Sequence, residues 1–426
     1  MARPSVLVIH NRYLEPGGED EVVRAEIALL RQHGHRVLQY ARHNREIAGF
    51  NALRRAGLAF TTAWDPESYA ELRALIRQER PTIAHCHNLL PLLSPSVYYA
   101  CAAEGVPVVQ TVHNYRLLCP EGNLFRNGSA CNNCGGNLAT ATVRGCYHDS
   151  RLQTAAVALM LSAHRALGTW REKVTTYIAP SEFCRSVLTA SLLPPAKVSL
   201  KPHFMGGVFP PRHGRGDYAI FVGRLSEEKG ILPLLEVWRE LQDIPLVVVG
   251  SGPLEAAARQ LADRLPAGQI RFTGRLPHSG TLELIRNARF VVAPSRCHVT
   301  FGLTVLEAMA CGVPAIVPHA GALRELVCDR RTGLIVDVED PEKLPRAIRW
   351  AWSHALETRE MGRAARHHYM EHYSPQTNYN KLMGIYRSAM QPADVAAGSV
   401  CIAYLAAAAS VSPAPADPVA VKQTSL

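Results

Sequence analysis

The stretch YAIFVGRLSEEKG, residues 218–230, decides the fold. Its first half is a short apolar run of buried-strand type. Its second half is a turn carrying Arg224 and Lys229 that enters a helix pattern over residues 230–241. It follows FMGGVFPPRHGRGDY, a linker rich in Gly, Pro and Arg, and opens a new strand–helix series. That series runs YAIFVGRL, PLVVVGSGP, IRFTGRLP, RFVVAPS, PAIVPHAG and GLIVDVED, with helix patterns between and after them reaching His372. Before the linker lies an equivalent series: SVLVIH, HRVLQYA, TIAHCH, VPVVQTVHN, TTYIAPS and KVSLKPHF. Its first helix, in EPGGEDEVVRAEIALLRQHG, opens on a Gly-Gly turn and stops at Gly34. Strands alternating with helices predict an α/β fold of two doubly wound parallel-sheet, Rossmann-like domains facing across a cleft. The boundaries fall at residues 1–205 and 206–373, and a further helix pattern covers 374–390. Residues 391–426 turn Ala- and Pro-rich and predict a disordered tail.

Length and composition agree with two cores. A chain of 426 residues exceeds one ordinary core, and 47% hydrophobic with 19% charged residues is globular. No apolar run approaches the roughly 18 residues of a spanning helix. The start, MARPSVLVIH, lacks a secretory apolar region, so a cytoplasmic protein is expected. A formal net charge of +10 points to an anionic partner. Arginines are dense in YARHNREIAGFNALRRAG, which reads either as a solvated face or as a docking surface for an anionic membrane. Nucleic acid is not expected: there is no zinc-finger spacing, RNA-binding signature or basic tail.

In open α/β sheets ligands sit beyond the C-terminal strand ends. Polar and Gly residues cluster there: Gly17 and Gly18, His113 and Asn114, Arg224 and Lys229, Ser251 and Gly252, then SRCHVTFGLTVLEAMACGVP over residues 295–314. Arg224 and Lys229 near a helix start suit a diphosphate, because the dipole and free amides add to the side-chain charges. Gly302, Leu303 and Thr304 offer amides for a second anion contact. Glu307, about a turn inside an otherwise apolar helix, needs a partner. A ribose diol would provide one; a capping or salt-bridging role is the alternative.

These ordered motifs, with EPGGEDEVV, TVHNYRLLCP, FVGRLSEEKG, VVVGSGP, FTGRLP and APSRCHVTFGLTVLEAMACGVPAI, resemble family 4 of the retaining glycosyltransferases, which have the GT-B fold. The resemblance reaches to about residue 390. It implies transfer from a nucleotide diphosphate sugar to a glycan or lipid-linked acceptor, without a catalytic metal. It implies that Arg224 and Lys229 neutralise the leaving diphosphate and that Glu307 holds the ribose. Gly302, Leu303 and Thr304 would meet the phosphate, and His113 the donor sugar. Gly17, Gly18, Gly252, Arg275 and Phe301 would complete donor binding, and the 374–390 helix would cross back to the acceptor-side first domain. Positioned cations and amides of this kind contribute about 3–4 kcal/mol per key donor where charge develops in a transition state. Envelope or exopolysaccharide synthesis, on the inner membrane face, is the setting the family suggests.

Two features stand apart. Val299 occupies the place of the first of the family's two Glu, the one that meets donor-sugar hydroxyls. Val accepts no hydrogen bond, so the resemblance implies weak activity, a donor lacking that hydroxyl, compensation by His298 or Thr300, or a protein that binds nucleotide sugar without turnover. A nucleotide-sugar epimerase of the same fold is the remaining alternative. Cys119, Cys131, Cys134 and Cys146 form a cluster spaced by eleven, two and eleven residues in a Gly/Asn-rich loop. The spacing suits a structural zinc site, with free thiols or a redox pair as alternatives. If Val299 is a deficit, Val299→Glu raises transfer activity; equal or lower activity shows that the step never depended on this position.

Overall fold

The computed structural model describes residues 3–14, 17–134, 137–207, 209–212 and 214–391, so all but the first residue of the expected disordered tail lies outside the described residues. Every predicted strand forms, six in each of two wholly parallel sheets. The first sheet is ordered Val37–His43, Val6–Arg12, Ile83–Cys86, Val108–Thr111, Thr176–Ala179, Val198–Leu200. The second is ordered Ile270–Gly274, Leu246–Val249, Ala219–Val222, Phe290–Val292, Ala315–Pro318, Gly333–Val336. In both, the order reverses beside the first strand, which opens a crevice at the carboxyl ends. Helices cover both faces, so central strands such as Leu246–Val249 are buried throughout and read as continuous apolar runs. No helix among the described residues is long and apolar enough to cross a membrane.

Local chemistry aims the first crevice. The helix Gly18–Gln32 starts with three acids that complement its dipole. Gly17 N donates to the Asp20 carboxylate at 2.9 Å, and the same carboxylate lies 2.9 Å from His10 Nε2 at the end of the first strand. The helix is thereby pinned to the strand it follows. The cysteine loop is more ordered than its composition suggests. Phe125–Arg126 and Ser129–Ala130 pair as an antiparallel hairpin, with Asn127 at φ +48° and Gly128 at φ +75°. An Asn-Gly turn with two left-handed residues matches the strand twist, and this dipeptide was the available signal.

The chain returns to its first domain at the end. The helix Pro375–Met390, capped by Ser374, lays Leu382, Tyr386 and Ala389 among Val6, Val8, Ile83, Val109 and Ile178. Tyr386 Oη lies 2.7 Å from His85 Nδ1. Lys201, just beyond the last strand of the first sheet, is fully buried. Its ammonium donates to the Glu26 carboxylate of the first helix and to Asn378 Oδ1 of the closing helix, the latter at 3.1 Å. Burial pushes the Glu26 carboxyl up, but Lys201, His85 and His203 together hold the group below the usual carboxylate range. Breaking such a pair strands a buried charge, at about 3–5 kcal/mol, whereas replacing both partners with apolar groups costs far less. Glu26→Gln is therefore expected to destabilise the full chain by that amount in urea unfolding, and Glu26→Leu with Lys201→Met to recover most of it. A double variant as unstable as the sum of its singles would show that the pair is not coupled.

Candidate active site

The two crevices face each other and enclose a cleft of about 2300 Å³. Arg224 reaches it just beyond the strand Ala219–Val222, and Arg275 just beyond Ile270–Gly274. Leu303, Thr304 and Glu307 line it from the helix Leu303–Cys311, and Gly17 and Gly18 from the first domain. With Asn114 and Ser251, the cleft thus collects nine of the residues singled out individually beyond the strand ends and in the donor site. The first amides of the helix Leu303–Cys311 have no intrahelical partner. Gly302 caps it at φ +125°, and any side chain there would also strike Leu323. Across the cleft, Leu303 Cδ1 stands 2.5 Å from where a Cβ on Gly18 would be, so this glycine lets the two domains approach.

Glu307 is paired. Its Oε1 lies 3.0 Å from His278 Nε2, and His278 Nδ1 lies 3.9 Å from Glu21 Oε2 on the first helix. The hydrogen bond to Glu307 outweighs burial and raises the His278 imidazole above its ordinary value. A carboxylate so held presents a fixed acceptor to a ligand hydroxyl. His278 was missed in the sequence; its signal was its place three residues after Arg275, at the same strand end.

Other sequence candidates lie off the cleft wall. His113 borders a small cavity of about 70 Å³ that shares Leu90, Asn114 and Arg116 with the cleft. Its Nε2 is 2.9 Å from His87 Nδ1, and its ring stacks on His203 at 5.3 Å. Burial and the neighbouring His10 pull it down to about 3, so it is neutral at physiological pH. Lys229 ends the short turn Glu227–Lys229 and is absent from the wall. A Cβ on Gly252 would sit 2.5 Å from Leu225 O, so this glycine serves the crossing of two loops. Phe301 is buried, edge-on to His203 at 5.1 Å, in the second domain's core, and Val299 packs half-buried against that core. Neither lines the cleft.

The loop before the helix Leu303–Cys311 is tied to the first domain instead. Thr300 Oγ1 donates to His113 O at 2.8 Å, and Ser181 Oγ to Thr300 O at 2.7 Å. The Glu325 carboxylate accepts from the Glu182 and Phe183 amides at 2.8 and 2.6 Å, at the start of the helix Glu182–Ser191. The cysteine loop borders the same cleft through Glu121 and Asn123. Cys119 and Cys134 are buried and Cys131 and Cys146 half-buried. Burial pushes the Cys134 thiol up to about 11, with further pushes from Cys119, Cys146 and Cys131. Arg126 Nη1 stands 3.2 Å from Cys146 Sγ. Among the described residues, the trio of metal-ligating groups with atoms within 4.8 Å of one another is Glu26, His85 and His87, where the Lys201 ammonium already supplies the positive charge. The thiols are set more loosely than that.

Comparison with known proteins agrees with this architecture. The family described as Glycosyltransferase Family 4 matches residues 16–204, and that described as Glycosyl transferases group 1 matches residues 210–368. The D-rhamnosyltransferase WbpZ of Pseudomonas aeruginosa is 31% identical over 156 residues, covering 36% of this chain and 41% of its own. A GDP-mannose-dependent alpha-mannosyltransferase of Mycolicibacterium smegmatis is 40% identical over 148 residues, covering 34% of this chain and 36% of its own. The matches thus span well under half the length of these relatives. Among solved structures, sucrose-phosphate synthase of Thermosynechococcus elongatus superposes with a TM-score of 0.66 at 19% identity, over 91% of this chain and 99% of that one. Anabaena HepE, solved with UDP and glucose, gives 0.62 at 15% identity, over 90% and 100%. With two parallel-sheet domains, a shared cleft and both halves matched, the chain belongs to the family 4 glycosyltransferases of GT-B fold.

Proposed function

We propose that the protein is a retaining glycosyltransferase that moves a sugar from a nucleotide diphosphate sugar to a glycan or lipid-linked acceptor in envelope or exopolysaccharide synthesis. The observation that carries this reading is the second-domain wall, where Arg224, the amide end of the helix Leu303–Cys311 and Glu307 meet in one cleft. Cleavage of a sugar–phosphate bond builds negative charge on the leaving diphosphate. A guanidinium and preset amides stabilise that charge without having to reorganise. Glu307, steadied by His278, accepts from the ribose hydroxyls. The named specificities of the relatives support a nucleotide-sugar donor, and Arg224 with Glu307 favours transfer over epimerisation. Val299, turned toward the core, favours the second reading: a protein that binds nucleotide sugar without transferring it. A donor panel with mass detection separates the two. Transfer releases nucleoside diphosphate and a glycosylated product; binding alone gives thermal stabilisation without release. In the first case Arg224→Ala is expected to lower kcat/KM about a hundredfold or more; an unchanged value would remove Arg224 from the leaving-group role.

The same reading places the protein in the cytoplasm, peripheral on an anionic inner membrane face. Its support is a pair of apolar stripes. Leu53 and Phe60 on the helix Ala52–Thr61 are 83% and 79% exposed, and Leu152 and Leu159 on the neighbouring helix Arg151–Ala166 are 82% and 70% exposed. Each pair is seven residues apart, which puts it on one helix face. Arg54 lies beside the first stripe, while Arg55, Leu58 and Ala156 on these helices line the cleft, so docking here would bring a lipid-linked acceptor to it. Co-sedimentation with phosphatidylglycerol vesicles is expected, weakened by salt and lost in Leu53→Ser/Phe60→Ser; equal recovery with neutral vesicles, or no effect of the variant, would remove this placement. The cysteine loop completes the proposal as a structural zinc site that stabilises one rim of the cleft. Metal analysis of purified protein is expected to find about one zinc per chain, against none if the thiols are free.

A further inference from the structure

The first-domain wall of the cleft is polar in a way that leaving-group chemistry does not require. Glu19 lies in the first turn of the helix Gly18–Gln32, and Arg116 and Glu121 lie in the segment beyond the strand Val108–Thr111. All three line the cleft. Asn114 Nδ2 donates to Glu19 Oε1 at 3.0 Å. Arg116 Nη2 donates to Glu121 O at 3.3 Å, and the guanidinium lies over the Tyr147 ring, 5.0 Å from its centroid. Gly122, at φ +85°, keeps open the space beside Asn114 Oδ1 and Arg116 Nε. These contacts fix the three side chains but leave part of each unused. Glu19 Oε2, Glu121 Oε2 and Arg116 Nε are all shielded from solvent and have no hydrogen-bond partner.

Buried polar groups without partners are rare in folded chains, and each one calls for a reason. Here two carboxylate oxygens and one N–H remain unpaired among residues that line one wall. Their chemistry suits hydroxyl groups: a hydroxyl donates to a carboxylate and accepts from a guanidinium at once. Burial raises both carboxyls, against the pull of Asn114 on Glu19 and of Arg116 and Arg224 on Glu121. A hydroxylated ligand relieves that cost by restoring hydrogen bonds. The second domain, in contrast, lacks an acid at the sugar-facing position: residue 299 is Val, and it does not line the cleft.

We infer that Glu19, Glu121 and Arg116 form a sugar-hydroxyl subsite on the first domain, in which two carboxylates and one guanidinium N–H hold a pyranose ring. The inference rests on the transferase reading, and the ring belongs either to the nucleotide sugar or to the acceptor. Two arms distinguish these sources. In the first, calorimetry compares GDP and UDP with GDP-mannose and UDP-glucose. In the second, saturation-transfer NMR measures methyl α-mannoside and methyl α-glucoside in the presence of the better-bound diphosphate. Glu19→Gln, Glu121→Gln and Arg116→Lys are each expected to weaken sugar binding about ten- to hundredfold while leaving the diphosphate Kd within about twofold. Loss in the first arm assigns the subsite to the donor, and loss in the second assigns it to the acceptor. Retained diphosphate binding shows that each variant is folded, and Glu121→Asp, which keeps the carboxylate, serves should one of the others not fold. Sugar affinity unchanged in all the variants, or a wild-type protein that binds diphosphate but gains nothing from the sugar in either arm, overturns the subsite. Failure of the wild type to bind any diphosphate removes the transferase reading itself.

Discussion

A single buried ammonium organises the first domain. Lys201 sits where the first sheet ends; its charge is balanced by Glu26 of the first helix, and a further N–H is accepted by Asn378 of the closing helix. An apolar residue at 201 would pack without demanding either partner. A buried lysine demands both, so three segments far apart in the sequence must arrive in one arrangement. The first helix is the one whose N-terminus faces the cleft, and it is also tied to the first strand through His10 and Asp20. The position of the cleft wall therefore rests on a charge well behind it.

The second constraint is the parallel sheet. Strands that all run one way deliver all their carboxyl ends to one edge, and two such edges facing each other make a polar cleft between apolar cores. Arg224, Arg275 and the Leu303–Cys311 helix share that cleft because each follows a strand or the loop after one. Thr300, Ser181 and Glu325 then tie the domains together beside it. These ties are hydrogen bonds at a domain boundary, of the kind that can break and reform as domains move.

The sequence was most legible where periodicity speaks. The strands of both parallel sheets, the linker and the first helix could be read from apolar runs and glycines, and so could the placement of Arg224 and Glu307 on the cleft. What it hid was orientation. Gly252 follows a strand end where donor binding was expected, yet its missing side chain serves a backbone crossing. Phe301 and Val299 stand in a binding loop, yet both pack against the core. Arg116, Glu19, Glu121 and Glu325 gave no local signal, because their importance depends on which opposing segment each one meets. His278 was nearer to legible, since it follows a strand whose other neighbours had already been noticed.

The closing helix also bears on how the molecule comes to exist. Leu382 and Tyr386 are part of the first domain's core, but they are among the last of the described residues to leave the ribosome. During synthesis the first sheet must wait, with the part of its face that Leu382, Tyr386 and Ala389 cover left open and Lys201 without Asn378, while more than a hundred intervening residues are made. The second domain has no such debt and can fold as soon as its own strands emerge. The first domain is thus begun first and completed last, which leaves it exposed longest to chaperones and proteases.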